Sequence, residues 1–190
     1  VSLYGATKLC AERLILQGSR HFSGKKTLFS CSRYGNVTSS RGSVVPLFLE
    51  QRKTGKVTLT DPNMTRFWMT IGQGVDFVVK NLENMTGGEI YIPKVPSIRI
   101  TDLAESLAPG CEVEIIGIRP GEKLHELLIS EDEGRLSYEF DDYFVIEPAE
   151  FGGPDSPKVN GRKVKDGFVF SSNENKMLSI EEIREMSDWD

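Results

Sequence analysis

Short runs with the spacing of helices alternate with runs of strand type from residue 1 to about 147, separated by brief turns, and that alternation points to an α/β fold. The pattern predicts a helix over residues 3–17, with Leu3, Ala6, Leu9, Cys10, Leu14 and Leu16 supplying much of its apolar surface. A buried strand is expected at Thr27–Tyr34, then a loop from Gly35 to Gly42 and a helix over 44–54. Val57–Thr60 reads as a strand, Asp61-Pro62-Asn63 as a turn and Arg66–Thr70 as extended chain. A helix at 75–82, a strand at Glu89–Ile92 and a helix at 101–107 capped by Thr101 follow. The series ends with a strand at 113–118 and a turn at Arg119-Pro120-Gly121. Phe48, Phe77 and Phe144 read as core. From Glu150 to Gly167 the composition shifts to Gly, Pro, Lys and Asp, as in an irregular surface segment. Ser179 ahead of Glu181-Glu182 then matches a capping box, opening a short helix on which Ile180 and Ile183 share a face with Met186 or Met177.

Composition narrows the function classes. Of 190 residues, 27% are charged and 38% hydrophobic, so the chain is globular, with a net charge of -5 that argues against non-specific nucleic-acid binding. The longest apolar stretch, around Val44 to Leu49, is far short of the ~20 residues that span a bilayer. No membrane association is expected. The chain opens on Val1-Ser2-Leu3 with no signal peptide, and the three cysteines, Cys10, Cys31 and Cys111, are too scattered for a disulfide framework. Reduced thiols in a cytoplasmic protein are the expectation. His21 and His125 lie far apart with no Cys or His at ligand spacing, so no metal site is expected. The acidic runs Glu131-Asp132-Glu133 and Asp141-Asp142 read as solvated faces.

Tyr4-Gly5-Ala6-Thr7-Lys8 carries the first chemistry. Positions i and i+4 share a helix face one turn apart, so a phenol and an ammonium are placed together. A free phenol titrates near ~10 and is a poor base at neutral pH. An adjacent cation stabilises the phenolate and makes it a usable base, while the remaining ammonium N–H groups can hold a sugar hydroxyl. By itself a Y-x-x-x-K match is weak, since both residues are common on exposed helix faces. The helix also reads as cut from something larger. It needs a sheet to pack on, only one convincing core strand follows nearby, and Tyr4 stands almost at the first residue.

From Leu3 onward the chain resembles the extended short-chain dehydrogenase/reductases, through Tyr4-Gly5-Ala6-Thr7-Lys8 and Arg33-Tyr34-Gly35-Asn36-Val37. The resemblance narrows at Ser40-Arg41-Gly42-Ser43-Val44-Val45-Pro46, Met64-Thr65-Arg66-Phe67-Trp68, Gly87-Gly88-Glu89-Ile90, and the run from Ile116 through Arg119-Pro120-Gly121-Glu122-Lys123 to Glu126. Together these look like the soluble, inverting UDP-N-acetylglucosamine 4,6-dehydratases of the pseudaminic acid pathway, and specifically like the C-terminal portion of one. The implied fold is the C-terminal half of an extended Rossmann fold plus a small α/β substrate-binding domain. Residues 1–147 would hold the remaining Rossmann part interleaved with the sugar-nucleotide-binding domain, and 148–190 an irregular segment with a closing helix.

The same resemblance implies a lyase reaction serving surface polysaccharide or flagellin glycan synthesis. Bound NADP, or NAD, oxidises carbon 4 of the hexose, water is lost across carbons 5 and 6, and hydride returns to carbon 6 with inversion at carbon 5. Tyr4 matches the residue that takes the carbon-4 hydroxyl proton, and Lys8 the one that binds the nicotinamide ribose. Val37 would approach the nicotinamide and Asn36 the sugar and phosphate. Arg41, Gly42, Ser43, Val44 and Val45 would line the nucleotide pocket, and Arg119 and Glu122 match diphosphate and ribose contacts. Homo-oligomers are implied, often built through the helix bearing Tyr4 and Lys8. The Asp-Lys pair used for elimination in the family, and its glycine-rich cofactor turn, precede the region matched here. The isolated chain is therefore expected to be inactive.

Charge chemistry suits that substrate. A diphosphate needs fixed cations, and Arg41, Arg66 and Arg119 offer guanidinium forks. The strand around Thr58 can offer its backbone to uracil. Plainer readings stand beside these: Asn36 as a turn residue, Arg66 packed against an aromatic ring, and Arg119-Pro120-Gly121 as a purely structural turn. A UDP-sugar 4-epimerase or reductase on the same scaffold would also need Tyr4, Lys8 and NAD(P). A non-catalytic sugar-nucleotide-binding domain is the alternative of another class.

Overall fold

The computed structural model describes residues 3–21, 27–38, 43–147 and 160–186. In chain order the elements are α1 (Leu3–His21), β1 (Cys31–Ser32), β2 (Asn36–Val37), α2 (Val44–Gln51), β3 (Lys56–Leu59), β4 (Thr65–Met69) and α3 (Ile71–Asn84). Then come β5 (Ile90–Pro93), β6 (Ser97–Arg99), α4 (Ile100–Leu107), β7 (Glu112–Ile115), β8 (Leu127–Ile129), α5 (Glu131–Gly134) and β9 (Ser137–Glu139). The last are β10 (Tyr143–Ile146), β11 (Arg162–Lys163), β12 (Phe170–Ser171) and α6 (Ile180–Glu185). The α/β class expected from the alternation holds. Two compact units divide these elements: Val1–Tyr34 with Val75–Lys94 and Leu127–Phe170, and Gly35–Gly74 with Val95–Glu126 and Ser171–Asp190.

The first unit is built on a sheet in the order β1-β5-β10-β9-β11. β1 runs parallel to β5, with Cys31 opposite Ile90, whereas β10 pairs antiparallel with both β5 and β9. All four residues of β5 are buried, as in a strand covered on both faces. Phe77 on α3 packs with Tyr91 and Val145, and Phe144 meets the rings of Phe168 and Phe170. Asn81, also on α3, donates its amide to the Ser32 hydroxyl and so ties helix to sheet. Glu89 is buried just ahead of β5, where it accepts from the Ser30 hydroxyl at 2.5 Å, from the Gly87 and Thr86 amides, and from the Thr86 hydroxyl. Burial pushes its carboxyl up, but those donors outweigh burial and hold it below the ordinary range. The Gly87-Gly88-Glu89-Ile90 run thus closes the start of this strand.

The second unit holds the sheet β2-β4-β6 and the parallel pair β3–β7. Val45, Phe48, Val57, Trp68, Ile98, Leu103, Leu107 and Ile183 belong to one core. α4 shows why its sequence is a helix: Ile100, Leu103, Ala104 and Leu107 are spaced as one apolar stripe, and all are buried. Full burial of side chains such as Leu103 and Ile183 contributes about 1.5–3 kcal/mol each. Pro46 sits in the first turn of α2, where its missing N–H costs no helical bond. A short 3₁₀ turn extends that helix to Thr54 and stops at Gly55, whose φ of 75° is the left-handed conformation a glycine cap supplies. Ser179 and Glu182 form the expected capping box at α6.

Several expectations change. The strand foreseen at 27–34 is ladder-bonded only at Cys31–Ser32, and Asn36 lies in a strand, paired with Trp68, rather than in a turn. Thr101 is not the cap of α4, because the helix starts one residue earlier and Arg99 takes the cap position. β8, β9 and β10 were not foreseen: β9 and β10 form a hairpin with each other, but β8 pairs with distant β12, and β10 and β9 also pair with distant β5 and β11. Of the irregular stretch read at 150–167, residues 160–167 contain β11, and the rest lies outside the described residues.

One close approach generates a test. A Cβ on Gly35 would stand 2.4 Å from the Cβ of Phe67, which is fully buried in β4. Gly35→Ala is expected to lower unfolding stability by about 1–3 kcal/mol through overpacking. A shifted urea midpoint measures it, and an unchanged midpoint would refute the packing argument.

Candidate active site

Within the first unit, α1 presents Tyr4 and Lys8 together. The Lys8 ammonium lies 5.2 Å from the Tyr4 ring centroid, and the tyrosine is 72% exposed. The two side chains share a face, as their spacing requires, and the ammonium sits over the ring. Thr7 folds its hydroxyl back onto the Tyr4 carbonyl at 2.7 Å, a bond internal to the helix. An accessible phenol with a cation beside it can exchange a proton with a bound hydroxyl and still leave ammonium donors for a ribose. That is the fit a nicotinamide nucleotide requires of these two residues.

What holds this helix was not foreseen. Arg33, just after β1, places its guanidinium between two carboxylates. Its Nε and Nη2 donate to Glu12 of α1 at 2.8 and 2.7 Å, and Nη1 and Nη2 donate to Glu133 of α5 at 3.0 and 2.8 Å. Nη1 also donates to the Leu128 carbonyl at 2.8 Å. All three side chains are at most one-fifth exposed. Burial works to lower the titration of Arg33, but the two carboxylates outweigh it and raise it further above its ordinary value. Burial would raise Glu133, yet the bonds and charge of Arg33 hold its carboxyl below the usual range. Glu133 was read as part of a solvated acidic face; it is instead a half-buried partner of Arg33 and also caps α5 through Ser130. Glu12 lies one turn beyond Lys8, and a lone arginine inside a strand pattern needs a counter-charge, so the pair left a faint trace in the sequence. Beside it, burial and the Glu12 charge push the Cys31 thiol up to about 11, which keeps it protonated at neutral pH.

The second unit carries the other expected residues. Asn36 and Val37 form β2, which runs parallel to β4 with Val37 opposite Met69. Arg41 and Gly42 lie outside the described residues. Ser43 occupies the cap position of α2, but its hydroxyl makes no cap bond and is buried with no hydrogen-bond partner among the described residues. The Val44 side chain is partly buried against the core and that of Val45 lies within it, so Val45 has chiefly main chain to offer a ligand. Thr58 lies in β3, with its amide donating to the Gln51 side-chain oxygen Oε1 and its hydroxyl accepting from Nε2 of the same side chain. β7 leads into an exposed run, and Ile116 still donates to Leu59. The turn after it is closed twice: Glu122 donates its amide to the Arg119 carbonyl, and the Arg119 amide donates to the Glu122 carboxylate. Arg119 is exposed, and Glu122 is half-buried near the Thr60 hydroxyl. Arg66, expected as a phosphate cation, instead turns its fork onto main-chain carbonyls of its own unit. No group of three or more metal-ligating side chains occurs among the described residues.

Comparison with known proteins agrees with these motifs. Residues 1–148 match the model of a family described as polysaccharide biosynthesis protein. An inverting UDP-N-acetylglucosamine 4,6-dehydratase of Campylobacter jejuni is 48% identical over 190 residues, covering 95% of this chain and 57% of that protein. A UDP-glucose 4-epimerase of Rickettsia rickettsii is 36% identical, over 98% of this chain and 57% of its own. The X-ray structure of Pen from Bacillus thuringiensis matches with a TM-score of 0.83 at 35% identity, over 96% of this chain and 56% of that one. The chain therefore spans a little over half the length of the curated relatives it matches.

The Arg33 clamp has a pH signature. A carboxyl held below its unfolded value stabilises the fold above that value, about 4.3 for Glu, and the contribution is lost as pH falls through the folded one. At pH 7 Glu133→Gln is expected to be less stable than wild type by about 2 kcal/mol. The gap should narrow steadily below about pH 4.3, read as urea midpoints at several pH values. A gap independent of pH would exclude an ionic contribution.

Proposed function

That this chain belongs to the polysaccharide biosynthesis protein family is the premise from which we propose its function: it is part of an inverting UDP-N-acetylglucosamine 4,6-dehydratase. The observation that carries the reading is the accessible Tyr4 phenol with the Lys8 ammonium against its ring, in a chain 48% identical to an enzyme of that name. Tyr4 takes the proton from the carbon-4 hydroxyl as that carbon gives up hydride. Lys8 stabilises the phenolate and holds the nicotinamide ribose. Bound NADP, in preference to NAD, supplies the hydride acceptor and later the donor. The ketone at carbon 4 acidifies the carbon-5 proton; its removal lets the carbon-6 hydroxyl leave, protonated, as water, the hydride taken from carbon 4 returns to carbon 6, and the proton returned to carbon 5 arrives on the opposite face.

On the substrate side, Asn36 and Val37 face the sugar and nicotinamide, Arg41 and Arg119 hold the diphosphate, and Glu122 the ribose. The Ser43 hydroxyl at the start of α2, which has no partner among the described residues, favours an anion there, since a helix N-terminus offers free N–H groups. Assembly into homo-oligomers through α1 and a cytoplasmic location belong to the same proposal. Exposed Leu9, Leu14 and Ile15 on α1 favour the first, and among the described residues no helix is long and apolar enough to cross a membrane. The 36% identity to a UDP-glucose 4-epimerase favours a second reading, epimerisation on the same scaffold.

Incubating the full-length protein with UDP-N-acetylglucosamine in deuterated water separates the two. Deuterium at an inverted carbon 5 of a 4-keto-6-deoxy product is expected, with Tyr4→Phe slower by about 10²–10⁴. An intact carbon 6 with inverted carbon 4 would establish the epimerase. Bound UDP without turnover would leave a binding domain.

A further inference from the structure

Residues 116–126 link β7 to β8, and none of them belongs to a named strand or helix. They include Arg119 and Glu122, and the segment as far as Gly121 is exposed. Such a run keeps one shape only if its backbone groups are bonded from elsewhere. At residues 123–124 those bonds come from β4. Arg66 is 13% exposed, and its Nη1 donates to the carbonyls of Thr65 at 2.7 Å and Leu124 at 3.0 Å. Its Nη2 donates to the Lys123 carbonyl at 2.8 Å and approaches the Met64 sulfur at 3.6 Å. Nε lies 3.8 Å from the Glu126 carboxylate. The fork therefore bridges two consecutive carbonyls of the loop and meets a side chain at its end.

Neighbouring groups complete the attachment. The Thr65 amide donates to the Leu124 carbonyl, so that oxygen accepts twice. The buried Thr65 hydroxyl is 2.8 Å from His125 Nδ1 and 2.7 Å from the Ser172 hydroxyl, which accepts from the Glu126 amide. With both Nη groups directed at protein atoms, this guanidinium has little left to offer phosphate oxygens.

We propose that Arg66 is a positioning residue: it latches the main chain of residues 123–124 to β4, and so sets where Arg119 and Glu122 meet a nucleoside diphosphate without touching it itself. The role at the nucleotide rests on the sugar-nucleotide reading above; the latch does not. A planar fork spans two adjacent carbonyls, which a lysine ammonium on its flexible stem cannot reproduce.

The test compares wild type, Arg66→Gln and Arg66→Lys in the full-length protein by amide hydrogen exchange and by titration with UDP. In Arg66→Gln the amides of Thr65, Glu122 and Glu126 should exchange about tenfold faster or more, while Ala108 at the end of α4 keeps its rate. UDP affinity should fall by about tenfold, with Arg66→Lys recovering only part of both effects. Weaker UDP binding with unchanged loop exchange would mean direct phosphate contact and overturn the latch. Faster loop exchange with unchanged UDP affinity would overturn the positioning role. Acceleration throughout both variants, α4 included, would also overturn it, since the constraint would then be fold-wide. If wild type binds no UDP, the sugar-nucleotide reading falls, while the exchange rates still decide the latch.

Discussion

The hydrogen bonds and charge of Arg33, shared between Glu12 and Glu133, tie the helix bearing Tyr4 to the sheet of its unit. A guanidinium taken this far out of water is tolerable only when its donors are met, and here two carboxylates and the Leu128 carbonyl meet them. The clamp joins three separate stretches of chain, α1, the end of β1 and α5, each too short or too exposed to hold its place by apolar burial alone. Glu12 stands on the same helix as Tyr4 and Lys8, so its attachment also fixes the rotation of α1 and the direction in which the phenol faces. A half-buried pair of this kind adds little net stability over an apolar substitute, but it is directional, and that direction sets the face on which Tyr4 and Lys8 stand.

Arg66 uses the same chemistry on different partners. Where Arg33 faces carboxylates, Arg66 faces carbonyls, and in both cases the planar fork orders chain that has weak local structure of its own. Arginine counts in a sequence are therefore poor counts of ligand cations. Of the three arginines proposed for a diphosphate, Arg66 turns inward and Arg119 stands exposed on the loop that Arg66 holds. The same guanidinium that would suit a phosphate suits a main-chain turn equally well, and only the position of acceptors distinguishes them.

Elements were legible in proportion to how local their causes are. α4 and α6 follow from an apolar stripe and a capping box, both contained within one or two turns. The run Asp61-Pro62-Asn63 and the turn at Arg119-Pro120-Gly121 follow from proline and glycine geometry. Thr101 misled because a hydroxyl near a helix start is a common cap, while the chain entered α4 directly from β6 at Arg99. β8 escaped notice because its partner β12 lies far along the chain, and β9 and β10, though they form a hairpin with each other, take their outer partners β11 and β5 from distant parts of the chain. Glu133 escaped for the same reason: among Glu131 and Asp132 it is one acid of three, and what separates it is an arginine a hundred residues earlier.

The pairing of Tyr4 with Lys8 was settled by spacing, because a helix of any origin places residues four apart on one face. Family membership was equally readable in one dimension, carried by runs such as Ser40 to Pro46 and Arg119 to Glu126. Which charges serve the fold and which remain for a ligand was decided only by folding. A guanidinium reaches several ångströms in any direction, so its partner is chosen by the atoms that tertiary packing brings within reach.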